Sequence, residues 1–203
     1  MLYAPLRLLA LWFCRLYCGV VVRRRPERLP EGGFILASNH QSYLDPILLG
    51  ITLRRPLSFM ARESLFKNPL FGRLIRSTRA FPVRRDGVGK QGLRDAADRL
   101  KAGEAVVVFA EGTRSRDGRL GPVKDGAGLL SRIAGVPVLP AAVDTFHAWP
   151  REKALPRPRR IAVAYGEPIP AERFRRDPEG ARHELETSLQ QLMSRLSETP
   201  STL

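Results

Sequence analysis

Short apolar runs recur along this chain, and helical spacing or turn residues separate them. The runs are Phe34–Ala37, Leu57–Ala61, Ala80–Val83, Ala105–Phe109, Val136–Val143 and Ile161–Tyr165. Runs of that length, bounded by Gly and Pro, read as strands buried on both faces. Between them, Pro46 opens a helix that ends near Gly50 or Leu53, and Asn68-Pro69 opens another. Gly87 to Leu100 is amphipathic, with Leu93, Ala96, Ala97 and Leu100 on one face and Gly103 as its stop. Gly126 to Ile133 follows, and a last helix begins at Asp177-Pro178 with Leu185, Leu189, Leu192 and Leu196 on one stripe. Strand and helix signals that alternate in this way restrict the fold to α/β, with a largely parallel or mixed sheet. The prolines in Val136–Val143 place that strand near a sheet edge.

A chain of 203 residues suits a single domain with a full core. An apolar share of 43% excludes wholesale disorder. The net charge of +14, from 34 basic and 20 acidic residues, favours an anionic partner: nucleic acid, a phospholipid surface or a phosphorylated substrate. Cys14 and Cys18 share one apolar segment and read as small hydrophobes in a reducing compartment. That segment, residues 1–22, lacks an uninterrupted apolar span, since Arg7 and Arg15 interrupt it. The two arginines lie about 80° apart on a helix. The segment is expected to lie in the membrane interface, its arginines snorkelling to phosphates. A helix packed on the domain is the other reading, and Gly19 to Arg24 can already be a first strand. The expected organisation is a membrane-associated helical segment at 1–22 and an α/β domain at 23–203.

Chemistry concentrates where strands end. After Phe34–Ala37 comes Ser38-Asn39-His40-Gln41-Ser42-Tyr43-Leu44-Asp45-Pro46. Imidazole takes and returns a proton near neutral pH, and a carboxylate can hold its tautomer and ring angle. A strand-to-helix turn can curl Asp45 back onto His40 as orienter to base. Equally, Asp45 before Pro46 makes a good helix cap, with His40 an ordinary loop residue. After Ala105–Phe109 comes Ala110-Glu111-Gly112-Thr113-Arg114-Ser115. A glycine admits a ligand to the backbone, while a hydroxyl and a guanidinium can hold phosphate oxygens. Glu111 there can anchor an arginine or a substrate hydroxyl, and a solvated turn is the alternative. Ala80–Val83 delivers Arg84-Arg85-Asp86. In such sheets ligands gather beyond the carboxyl ends of strands. His147 and His183 read as surface residues.

Asn39-His40-Gln41-Ser42-Tyr43-Leu44-Asp45 resembles the NHxxxxD motif of the glycerolipid acyltransferases, the family of the bacterial 1-acyl-glycerol-3-phosphate acyltransferases. Phe109 to Ser115 resembles its FPEGTRS motif, with Ala110 in place of proline. Ala80 to Arg85 resembles the intervening motif that ends in arginine, and Val136 to Pro140 its proline-containing fourth motif. The resemblance runs from about residue 19 to 170. It implies a glycerol-3-phosphate acyltransferase-like sheet of about seven strands flanked by helices. It also implies that His40 deprotonates a lysophospholipid hydroxyl, that Asp45 orients it, and that the oxygen attacks an acyl thioester directly. Arg85 and Arg114 would hold the acceptor phosphate, with Glu111, Gly112 and Thr113 shaping the pocket. Arg62 stands where relatives often carry lysine. Asn39, Ser42, Phe109, Ser115 and Pro137 would support the motifs.

The expected reaction acylates the sn-2 hydroxyl of 1-acyl-glycerol-3-phosphate, giving phosphatidate at the cytoplasmic membrane face, with the protein peripheral or monotopic. Acyl-CoA or acyl carrier protein would be the co-substrate, with no bound cofactor, no metal and no nucleic acid. Another lysolipid or an acyl-amino-acid lipid is the alternative acceptor. A non-enzymatic basic anion or nucleic-acid binder rests on charge alone, since few aromatics interleave the arginines.

Overall fold

The structure is a computed structural model. It describes residues 3–83, 90–150, 153 and 155–197. Helix α1 (Tyr3–Tyr17) leads into β1 (Val20–Arg24), and β2 (Phe34–Ser38) into α2 (Asp45–Thr52). Strand β3 (Leu57–Arg62) is followed by a 3-10 turn (Glu63–Phe66), α3 (Pro69–Ser77) and β4 (Ala80–Val83). Helix α4 (Lys90–Lys101), β5 (Ala105–Phe109), α5 (Gly126–Ala134) and β6 (Val138–Asp144) come next. The chain then runs through β7 (Ile161–Tyr165), α6 (Ala171–Arg176) and α7 (Pro178–Ser197).

The seven strands form one sheet in the order β1-β7-β6-β2-β5-β3-β4. Neighbours are parallel except β6 and β7, which run antiparallel. Strands β2 and β6 are buried almost throughout because both faces are covered, hence their continuous apolar sequences. Phe34, Leu36 and Val107 pack towards α1 and α2, while Ile35, Ala37, Val106 and Val108 pack towards α4, α5 and α7. The stripe Leu185, Leu189, Leu192 and Leu196 is buried as its spacing predicts, as are Ala96, Ala97 and Leu100 of α4.

Two expectations need correction. Strand β6 is interior, between β7 and β2. It tolerates Pro140 because the missing N–H falls on the β7 side where that pairing ends: the Pro140 carbonyl there accepts from Gly166, one residue beyond β7. Pro137 precedes the strand, and its carbonyl accepts the Ile35 amide at 3.0 Å. Second, Arg7 turns inward rather than outward to phosphates. Its guanidinium donates to the carbonyls of Gly50, Ile51 and Leu53 at 2.9, 3.0 and 3.1 Å, closing the C-terminal end of α2. Strand β1 includes residues on both sides of position 22, in line with the reading of Gly19 to Arg24 as a first strand.

Helix α1 packs Cys14 into the core, with Cys18 just beyond its end. Burial, and then the neighbouring Cys18, push the Cys14 thiol up to about 11, in keeping with a small hydrophobe. The outer face of α1 leaves Leu8, Leu9, Trp12, Phe13 and Leu16 exposed, Leu16 by 69%. No helix among the described residues is long and apolar enough to cross a membrane.

Candidate active site

Because β2, β3, β5 and β6 run parallel, their carboxyl ends share one edge of the sheet. The chain leaves β2 there, and Asn39 extends the strand in side-chain form. Its amide donates to the Val143 carbonyl at 3.0 Å and accepts from the Val143 N–H at 2.8 Å. The next residue, His40, is fixed through its backbone: its N–H donates to Glu111 Oε1 at 3.1 Å and its carbonyl accepts from Ser115 at 2.7 Å.

The following loop curls back on Asp45. The amides of Gln41 and Ser42 donate to Asp45 Oδ2 at 2.6 and 2.8 Å, and Ser42 Oγ accepts from Leu44 at 2.8 Å. Oδ2 also lies 2.7 Å from His40 Nδ1, and Thr145 donates its hydroxyl to Oδ1. Asp45 is the first residue of α2 but makes no cap, so its carboxylate serves the loop and the imidazole. A carboxylate can only accept, which assigns the proton to Nδ1 and leaves the Nε2 lone pair free. The Phe109 ring stacks on the imidazole at 3.8 Å and 12°, covering one face. Asp45 is fully buried while the His40 side chain stays 18% exposed. That is the arrangement of a proton acceptor with a fixed tautomer and a solvent-side opening.

Beside it lies the loop after β5. Gly112 has φ +69°, and a side-chain carbon there would meet the Lys124 ammonium at 3.1 Å, so the cation lies over the glycine backbone. Glu111 is 4% exposed. Burial pushes its carboxyl up, the amides of His40 and Gly121 pull it down, and Asp45 and Asp117 push it up again; the net direction is up. Its partners among the described residues are those backbone amides, not an arginine, so it shapes the pocket through the His40 backbone. The Arg114 guanidinium carbon lies over the Tyr43 ring, 3.7 Å from its centre, and its Nη1 is buried with no hydrogen-bond partner among the described residues. Thr113 is exposed, and Ser115 Oγ donates to Asp117 at 3.1 Å.

Phe59 pairs with Val107, so Arg62 at the end of β3 is level with Ala110, and it is exposed. The edge thus gathers His40, Asp45, Arg62 and the 111–114 loop. Arg85 lies outside the described residues. His147 and His183 are exposed, as expected. The sequence reading missed Thr145, Gln41, Tyr43 and Lys124. Gln41 accepts from the amides of Thr145 and Phe146 at 2.9 and 3.2 Å and donates to the Gly118 carbonyl at 2.7 Å, tying the base loop to two others. Thr145 lies a full 100 residues from Asp45, beyond the reach of any local pattern. Lys124 carried a weak signal as a cation just before a glycine-rich helix start.

A carboxylate-oriented imidazole thus lies beside a cationic, glycine-containing loop on an α/β sheet, an arrangement chemically able to move a proton on an anionic molecule. The chain belongs to the Acyltransferase family, which matches residues 20–144. It is 30% identical over 152 residues to the 1-acyl-sn-glycerol-3-phosphate acyltransferase of Bacillus subtilis, covering 74% of each chain. Against the enzyme of that name from Pseudomonas aeruginosa it is 30% identical over 167 residues, 80% of this chain and 65% of the relative. It spans 34% of a chloroplastic relative of Brassica napus, at 37% identity over 118 residues, 56% of this chain. The crystal structure of the 1-acyl-sn-glycerophosphate (LPA) acyltransferase PlsC from Thermotoga maritima superposes with a TM-score of 0.84 at 29% identity, over 98% of this chain and 81% of that one.

Proposed function

We propose that the protein transfers a fatty acyl group from a thioester to the sn-2 hydroxyl of 1-acyl-glycerol-3-phosphate, giving phosphatidate. The observation that carries this reading is the 2.7 Å His40–Asp45 pair, beside Arg114, whose Nη1 has no hydrogen-bond partner among the described residues. His40 Nε2 takes the proton of the acceptor hydroxyl while that oxygen attacks the thioester carbonyl. The tetrahedral intermediate then collapses, the carbon–sulfur bond breaks, and the thiolate takes the proton back from the imidazolium. Asp45 stabilises that imidazolium and holds its ring. Arg114, Lys124, Arg62 and Arg85 supply positive charge for the acceptor phosphate. Direct attack suits a site whose motif serines are engaged elsewhere: buried Ser42 accepts from the Leu44 amide and Ser115 donates to Asp117, while Cys14 and Cys18 are buried in α1 and at its end.

The donor is acyl-CoA or an acyl carrier protein thioester, and a +14 chain attracts either anion. In this reading the exposed apolar face of α1 is the membrane-interface element, and the enzyme sits peripherally on the cytoplasmic face. Arg157, Arg159 and Arg160 stand exposed in the loop that Tyr17 ties to α1 through the Pro156 carbonyl at 3.1 Å. Basic side chains of this kind add about 1 kcal/mol each at an anionic surface.

The test is phosphatidate formation by purified protein on anionic vesicles, with both thioesters and a panel of lysolipid and acyl-amino-acid acceptors. His40→Ala is expected to lose about 10² to 10⁴ in kcat while still binding vesicles. Full activity in that variant would sink the mechanism. Turnover confined to a different acceptor would replace the substrate.

A further inference from the structure

We propose that Tyr43 is a positioning residue for the acceptor phosphate, acting through Arg114. The inference rests on the acyltransferase reading above. Four arginines lie over aromatic rings among the described residues. Those at Phe34, Phe66 and Phe81 stand 5.4, 4.7 and 4.7 Å from the ring centre, and Arg114 stands closest, 3.7 Å above Tyr43. Other guanidiniums of the core are held by giving up their N–H groups: Arg7 to three carbonyls, Arg55 to those of Pro30 and Gly103, Arg25 to that of Thr52. Arg114 gives up none to the described residues. A ring face fixes the plane of a guanidinium without consuming a donor. Recognition of phosphate by two parallel N–H groups needs both conditions, a fixed plane and free donors.

Tyr43 is itself held. Its ring tilts against Trp149 at 5.3 Å, and Trp149 Nε1 donates to the Lys153 carbonyl at 2.9 Å. It also sits inside the turn that joins His40 to Asp45. One short loop therefore sets both the proton acceptor and the plane of the phosphate-holding cation. The acceptor carries its reactive hydroxyl and its phosphate on adjacent carbons, so the two protein groups must keep one separation. Tyr43 is the link that keeps it, and it selects for glycerol-phosphate head groups over neutral ones.

Tyr43 is 49% exposed, so a lipid-facing role must be separable from this one. The experiment compares wild type, Tyr43→Ala, Tyr43→Phe, Arg114→Ala and the Tyr43→Ala/Arg114→Ala double variant, each checked for folding by melting. The readouts are KM and kcat for lysophosphatidate and for 1-monoacylglycerol, vesicle sedimentation, and calorimetric binding of glycerol 3-phosphate. Tyr43→Ala is expected to raise the lysophosphatidate KM and weaken glycerol 3-phosphate binding by about tenfold, the scale of a close cation–ring contact. Its kcat should stay within about threefold, its vesicle binding should match wild type, and Tyr43→Phe should restore the KM. In the Arg114→Ala background the Tyr43 change should cost nothing more. An unchanged KM and unchanged binding overturn the proposal, as does a full effect persisting without Arg114. A KM rise tracking lost vesicle binding also overturns it, in favour of lipid contact. Failure of the acyltransferase reading appears separately, as wild-type protein inactive on lysophosphatidate; the glycerol 3-phosphate measurement then still decides the role of Tyr43.

Discussion

Both oxygens of Asp45 are occupied: Oδ2 by two backbone amides and the imidazole, Oδ1 by the Thr145 hydroxyl. Thr145 is therefore the residue whose loss tests this reading of the site most gently. Thr145→Val keeps the shape and removes one donor from a buried carboxylate. The expected cost is about 1–3 kcal/mol of stability, with a roughly tenfold drop in kcat as the carboxylate turns and the imidazole loses its alignment. Denaturant unfolding and initial rates check the two parts, and an unchanged kcat would remove Thr145 from the catalytic assembly. At this scale the contact between His40 and Asp45 was legible, because five residues of one turn bring them together and the geometry is local. The loop after β5 was legible in part: Gly112 and Arg114 stood out by residue type. Thr145, Gln41 and the Tyr43–Arg114 stack were not, since each acts across a fold whose register is set by distant strands. Glu111 was expected to anchor an arginine or a substrate hydroxyl; buried under the His40 backbone, it accepts from the His40 and Gly121 amides instead.

Among the elements, α1 and α2 form the pair on which the proposed membrane face depends. The Arg7 guanidinium satisfies three carbonyls at the end of α2, so α1 is joined to the domain by polar bonds as well as by apolar packing. Arg7→Ala is expected to destabilise the protein by about 1–3 kcal/mol, the range for hydrogen bonds from a charged donor. Arg15, exposed on the same helix, should tolerate alanine within about 0.5 kcal/mol. Equal midpoints for the two variants in urea would contradict this division. Which segments form strands and helices was legible, because apolar runs and helical stripes are local patterns. Strand order was not. The prolines of β6 suggested an edge, yet only the pairing with β7 shows that the missing N–H falls where a ladder ends. The single antiparallel pair has no signature in either strand alone.

Across the whole molecule, two glutamates at opposite edges of the sheet pull stability in opposite directions with pH. Glu111, buried at the carboxyl edge, is raised above the ordinary glutamate value of 4.5. The folded protein then holds a proton that the unfolded chain has released, so stability falls as pH climbs from about 4.5 through the raised value. At the other edge, burial pushes Glu104 up, but hydrogen bonds from Ser58, Arg99 and Arg79 and the Arg79 charge outweigh it and hold the carboxyl below 4.5. Its contribution is present above 4.5 and is lost as pH falls through the lowered value. Unfolding free energies measured from pH 3 to 8 should therefore show Glu104→Gln flattening the acid limb and Glu111→Gln flattening the decline above it. Identical profiles for both variants and wild type would refute the assignment. The position of β1 has a further consequence, in the timing of synthesis. Val20 can pair only when Ile161 has been made, and Asp45 gains its fourth partner only when Thr145 has. At ribosomal rates of about 5–20 residues per second the first strand waits on the order of ten seconds for its neighbour. Over most of that interval α1 is already made, and until Thr145 follows the His40–Asp45 pair is unbraced. In the proposed enzyme, the nascent chain is able to find its bilayer before it is able to catalyse anything.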